Sequence, residues 1–179
     1  MKKEIITIAG TLGSGKSSTA KKVAGILGYK HFSSGDFFRQ VGLELGLSVT
    51  ETNIRAETDP KIDEMTDQKM RDLNKTEKIV VDSRLAFHWI PNSFKVYLDL
   101  PPEIAKNRIL NNLKENKLRQ QSEKESSNLE EIYATMQKRL ESEQKRYWDL
   151  YKIDNTDKNN LEQVVNIIVT EYKKWRETN

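Results

Sequence analysis

The sequence predicts an α/β protein in three layers, with a mostly parallel five-stranded sheet, helices on both faces and right-handed crossovers. Three observations predict it. Short apolar, β-branched runs recur at residues 4–9, 79–82 and 94–98, the pattern of strands buried on both faces. Stretches with helical spacing separate these runs. A chain of 179 residues is also long enough to bury roughly 70% of the surface that its unfolded form exposes.

Residues 4–9 (EIITIA) form the first strand, residues 10–15 supply turn chemistry, and residues 16–27 carry Ala20, Val23, Ala24 and Leu27 at helical spacing. Gly28 suits the helix C-cap, and residues 29–32 read as a short second strand. Ser33 and Asp36 have the spacing of a capping box for a helix running to about residue 46. Asp59 as N-cap and Pro60 at the first position open another helix, whose apolar face is Ile62, Met65, Met70 and Leu73. Residues 79–82 and 94–98 are the next strands, and Pro101-Pro102 open a helix through roughly residue 113. Residues 114–127 are almost wholly charged or polar and read as an exposed, mobile segment. An amphipathic helix follows over 128–147, with Leu129, Ile132, Tyr133, Met136, Leu140 and Tyr147 on one side. Residues 150–153 suit a last strand and 161–175 a closing helix. Without an internal repeat or a linker, residues 1–179 read as one domain.

Composition narrows the functional classes. The net charge of +3, from 30 basic and 27 acidic residues, does not call for a nucleic-acid partner. Charged residues make up 32% and hydrophobic ones 36%, and no run approaches the ~18 apolar residues of a spanning helix, so no membrane role is expected. The N-terminal residues do not resemble a signal peptide, and the expected location is the cytoplasm. With no cysteine, disulfides, thiolate catalysis and Cys-based zinc sites are excluded. His31 and His88 lack a second histidine at ligand spacing and read as structural or surface groups; Trp89, Trp148 and Trp175 read as packing groups.

Residues 10–17 (GTLGSGKS) match G-x-x-x-x-G-K-S, the phosphate-binding loop, between a strand and a helix as that loop requires. Gly10, Gly13 and Gly15 let backbone N–H groups, with those of Ser14, Lys16, Ser17 and Ser18, wrap a phosphate at the helix N-terminus. Lys16 reaches the β and γ oxygens of ATP, and Ser17 offers a ligand to Mg²⁺. The Asn-Lys-x-Asp segment of a GTPase is missing. Small size favours a small-molecule kinase over a motor.

Four segments together resemble the nucleoside-monophosphate kinases, above all the short, archaeal-type cytidylate kinases, across nearly the whole chain. They are the phosphate loop, residues 33–39 (SSGDFFR), residues 81–85 (VDSRL) and residues 139–147. The resemblance implies the P-loop NTPase fold, ATP as donor, Mg²⁺ as cofactor and CMP or dCMP as acceptor. It implies that residues 34–76 hold the acceptor nucleotide and that 114–127 act as a lid. Ser34 and Gly35 would line the acceptor site, Asp36 would orient water around the metal, and Arg39 and Arg84 would grip the monophosphate, for which a planar cationic fork is suited. Asp82, at a strand's carboxyl end, would help place Mg²⁺. Arg108 resembles the arginine that packs on the ATP base, although Asn112 stands where a further lid arginine is expected, with Arg119 or Lys117 as substitutes. Arg139, Glu143 and Arg146 fall within about 60° of one another on a helix and match an arginine-acid-arginine spacing that meets the transferring phosphoryl group and the acceptor, usually with Asp in place of Glu143.

An acceptor that is already a phosphate oxyanion needs no general base; positioning, charge neutralisation and exclusion of water suffice. AMP, UMP or a non-nucleotide alcohol remain alternative acceptors, and a nucleotide-binding regulator is the alternative from another class. A monomer is expected.

Overall fold

The computed structural model describes residues 3–11, 13–105, 107–108, 151–154 (backbone only) and 160–178. Strand β1 (Ile5–Gly10) is buried at every residue and lies at the centre of a five-stranded sheet. Its neighbours are β3 (Ile79–Asp82) and β4 (Phe94–Asp99); β2 (Lys30–Ser33) and β5 (Tyr151–Asp154) form the edges, in the order β2-β3-β1-β4-β5. All four pairings are parallel. The strands lie within a residue of the expected ranges.

Side chains alternate between the two faces of the sheet. Ile6, Ile8, Val80, Val96 and Leu98 pack beneath α1 (Lys16–Leu27) and α6 (Leu161–Glu177), meeting Ala20 and Val23 of the first helix and Val165 and Ile168 of the second. Ile5, Ile79 and Val81 point the other way, against Met70 and Leu73 and against Ala86 and Ile90. Each such fully buried aliphatic side chain contributes about 1.5–3 kcal/mol, which is why the strands are apolar on both sides. Two polar side chains inside this core satisfy one another: Thr7 Oγ1 lies 3.0 Å from Ser93 Oγ, which donates to Ile90 O at 2.7 Å.

Between β2 and β3 the chain builds an arm of three helices: α2 (Ser34–Glu44), α3 (Val49–Ala56) and α4 (Pro60–Asp72), the last running into a 3-10 turn (Leu73–Lys75). Asp59 caps α4 as expected, accepting from Lys61 N, with Pro60 at the first turn. The cap of α2 differs from expectation. Ser33 accepts from Gly35 N, and Asp36 pairs with Arg39 rather than closing a capping box. The expectation named no helix over residues 49–56, although Ser48 and Glu51 form a complete capping box there. A short helix, α5 (Ala86–Trp89), likewise follows β3. The expected lid at 114–127 and the helix at 128–147 lie outside the described residues.

Candidate active site

Strand β1 delivers the chain to the sheet's carboxyl edge, and the phosphate loop starts there because Gly10 can pass where a side chain cannot. At φ +153° it lies so close to β4 that a Cβ would stand 2.7 Å from Leu98 O and 2.9 Å from Ser14 Oγ. Ser14 N then donates to Thr11 O at 3.1 Å, tightening the loop. At the other end Gly15 serves as N-cap of α1 in the left-handed region, φ 77° and ψ 22°, with no side-chain cap and no acidic residue in the first turn. The first N–H groups of α1 and the positive end of its dipole therefore face an anion-binding concavity. Lys16 curls over it, its Nζ donating to Thr11 O at 3.0 Å, while Ser17 and Ser18 are exposed on the first turn.

Asp82 ends β3 in register with Ile8, just below this loop, and Ser83 N donates to Ile8 O at 3.2 Å. The carboxylate is 4% exposed, and its Oδ2 has no hydrogen-bond partner. His31 on β2 faces it, with Nε2 3.9 Å away. Burial lowers the imidazole's pKa against the opposing pull of Asp82. An underpaired carboxylate beside a phosphate loop fits a hydrated Mg²⁺ held mainly by water and phosphate oxygens. Among the described residues no cluster of three His, Cys, Asp or Glu could cage a metal on its own. Ser83, not Asp82, caps the turn that follows, accepting from Leu85 N. His31 thus belongs to the site's surroundings, which its isolation in sequence concealed.

Next to the loop, the arm and the exit of β3 enclose a cleft of about 540 Å³. Ser34, Gly35 and Arg39 of α2 line it together with Arg84, so four residues expected around an acceptor are brought together. Arg39 is half exposed and ion-paired to Asp36 one turn earlier on α2, with its guanidinium 3.5 Å from where a Cβ of Gly35 would stand. Asp36 therefore aims Arg39. The cleft is also lined by Asn53 of α3 and by Asp63, Thr66 and Asp67 of α4, which sequence reading missed. The signal for the three on α4 was the i, i+3, i+4 spacing of polar groups on a helix whose buried side carries Ile62 and Met70. Burial pushes the Asp67 carboxyl up, and the Arg71 guanidinium partly opposes this. Arg71 stacks on Trp89, 4.6 Å from the ring centroid. Arg108 lies beyond β4 near the end of the described stretch, whereas Arg139, Glu143 and Arg146 lie outside the described residues.

Comparison with known proteins covers nearly the whole chain. Residues 6–133 match the family model described as an AAA domain. A cytidylate kinase of Natronomonas pharaonis is 36% identical over 90% of this chain and 80% of its own length. One from Thermoplasma volcanium is also 36% identical, over 96% and 85%. Among solved structures, a shikimate kinase from Bacteroides thetaiotaomicron superposes with a TM-score of 0.69 over 97% of this chain and 98% of its own at 16% identity, a likeness of fold alone.

Proposed function

We propose that the chain, which belongs to the cytidylate kinase family, moves the γ-phosphoryl group of ATP to CMP or dCMP with Mg²⁺, yielding ADP and CDP or dCDP. It is an ATP-dependent nucleoside-monophosphate kinase. The observation that carries the acceptor assignment is the cleft that brings Arg39 and Arg84 together, with Ser83 of its lining bonded to Ile8 on the strand that leads into the phosphate loop.

The physics of the transfer follows from that juxtaposition. Backbone N–H groups of residues 13–18 would hold the donor's phosphates, and Lys16 would swing from Thr11 O to the β and γ oxygens. Arg39 and Arg84 would fix the acceptor's dianionic phosphate with charge-assisted, forked hydrogen bonds. Ser17 and Asp82 would hold Mg²⁺, which when bound neutralises charge on the phosphate oxygens. An attacking phosphate oxyanion needs no base, so alignment and charge neutralisation carry the rate. Ser34 and Gly35 would line the acceptor site, Arg108 would pack on the ATP base, and Arg139 and Arg146 would complete the cation set from the segment after the lid, with Glu143 orienting them or contacting the acceptor. We assign the protein to the cytoplasm as a monomer; among the described residues no helix is long and apolar enough to cross a membrane.

A coupled ADP-release assay over CMP, dCMP, UMP, AMP, GMP and shikimate tests this reading. CMP and dCMP should give the highest kcat/KM. Preference for AMP would move the acceptor assignment to adenylate, and turnover of shikimate alone would remove the nucleotide acceptor altogether.

A further inference from the structure

Charge in the acceptor cleft is divided between its walls. Arg39 comes from α2 and Arg84 from the exit of β3, whereas both acidic residues, Asp63 and Asp67, come from α4. A dianionic phosphate is attracted to the first wall and repelled by the second, so a nucleoside monophosphate can enter in one sense only, with its phosphate on the arginines and its base toward α4.

Asp63 and Asp67 are one helical turn apart, which sets their β-carbons about 5–6 Å from one another on the same face. Thr66, beside them, already donates its hydroxyl proton to Ile62 O at 2.9 Å and so offers the cleft only acceptor character. Neither aspartate forms a salt bridge within 4.0 Å among the described residues. The cleft side of α4 therefore presents more acceptors than donors, with the Trp89 indole and the Arg71 guanidinium as the groups that draw on the Asp67 carboxyl. Asp67 is half buried, and burial raises its carboxyl's pKa, the mark of a group poorly solvated where it stands. Such a carboxylate gains most from a ligand that brings N–H groups.

We propose that Asp63 and Asp67 read the acceptor base, each accepting one N–H of an exocyclic amino group, so that an amino base such as cytosine is chosen over its carbonyl counterpart uracil. The inference rests on the kinase reading above. Cytosine presents a 4-amino group with two N–H donors where uracil presents an oxygen. That oxygen would face two carboxylates with no proton between them, and a site built to accept from N–H rejects the analogue lacking it more strongly than an apolar pocket could.

The test is steady-state kinetics and equilibrium titration of CMP and UMP on the whole chain and its Asp67→Asn and Asp63→Asn variants, with ATP KM measured alongside and folding checked by thermal melting. Asparagine keeps the shape but adds an N–H₂ donor that suits uracil's oxygen. In Asp67→Asn the ratio of kcat/KM for CMP over UMP should fall at least tenfold, through the acceptor KM, while the KM for ATP stays within twofold. Asp63→Asn should move the ratio in the same direction. If the wild type phosphorylates CMP and both variants keep the ratio within twofold, the base-reading assignment is overturned and the kinase reading stands. If the wild type neither binds nor phosphorylates any nucleoside monophosphate, the kinase reading fails and this inference fails with it.

Discussion

Along the phosphate loop the chemistry is carried by backbone: N–H groups at the start of α1, a left-handed Gly15, and a Gly10 pressed against β4, with the long Lys16 side chain beside them. In the neighbouring cleft it is carried by side chains from separate segments, Arg39 on α2, Asp63 and Asp67 on α4, and Arg84 beyond β3. Backbone donors are set by the path of the chain and recognise what every nucleoside triphosphate shares, its phosphates. Side chains can differ one by one, so the cleft is where acceptor identity is decided. Loss of function should accordingly be steep and general in the loop, and graded and acceptor-specific in the cleft.

Lys16→Ala should have the largest effect, lowering kcat by on the order of 100- to 1000-fold, as expected for removing one preorganised charge from a phosphoryl-transfer site. Its thermal midpoint should stay near wild type; a wild-type kcat would break the comparison at its stronger end. Arg39→Ala and Arg84→Ala should each raise the acceptor KM roughly ten- to a hundredfold, the equivalent of about 1.5–3 kcal/mol for a charge-assisted contact, with smaller change for ATP. A raised KM for ATP with the acceptor unaffected would reverse the two regions' roles.

Gly10→Ala separates the loop's geometry from its charge. The added Cβ meets Leu98 O and Leu98 Cβ, neither a flexible chain end, so stability should drop by about 1–3 kcal/mol, read as a shifted denaturant midpoint. The smallest expected effect is that of Asp36→Asn. An exposed ion pair is worth about 0.2–1 kcal/mol, so losing its hold on Arg39 should change the acceptor KM only a few-fold. A collapse of kcat in that variant would instead give Asp36 a direct part in transfer.

The phosphate loop was legible because its glycines, lysine and serine are contiguous and its strand and helix flank it immediately. The strands were legible for a related reason: Ile5, Ile6, Ile79 and Val80 are apolar on successive positions because both faces of the sheet are covered. Helix α3 escaped notice because Leu47, Val49 and Ile54 make no strong periodic stripe, and Val49 and Ile54 stay exposed. Its capping box was the surviving local sign. His31 read as a solitary histidine because its partner Asp82 is 51 positions further along and meets it only through the pairing of β2 with β3, where Ser33 stands opposite Asp82.

From sequence alone came the order of strands and helices, the phosphate loop and the resemblance that named Arg39, Arg84 and Asp82 as site residues. These depend on local periodicity, on glycine placement and on short motifs, all properties of neighbours along the chain. Tertiary structure alone decided that α4 turns its Asp63, Thr66, Asp67 edge toward the two arginines, that Asp36 aims Arg39, and that the Asp82 carboxylate is buried without a hydrogen bond to its Oδ2. The physical reason is that a helix pattern tells which side is buried, as Ile62 and Met70 do here, but not what the polar edge beside it faces. That edge acquires its meaning from how α2 and α4 pack across the end of the sheet, bringing together groups that lie 28 and 45 positions apart in the chain, as Arg39 is from Asp67 and from Arg84.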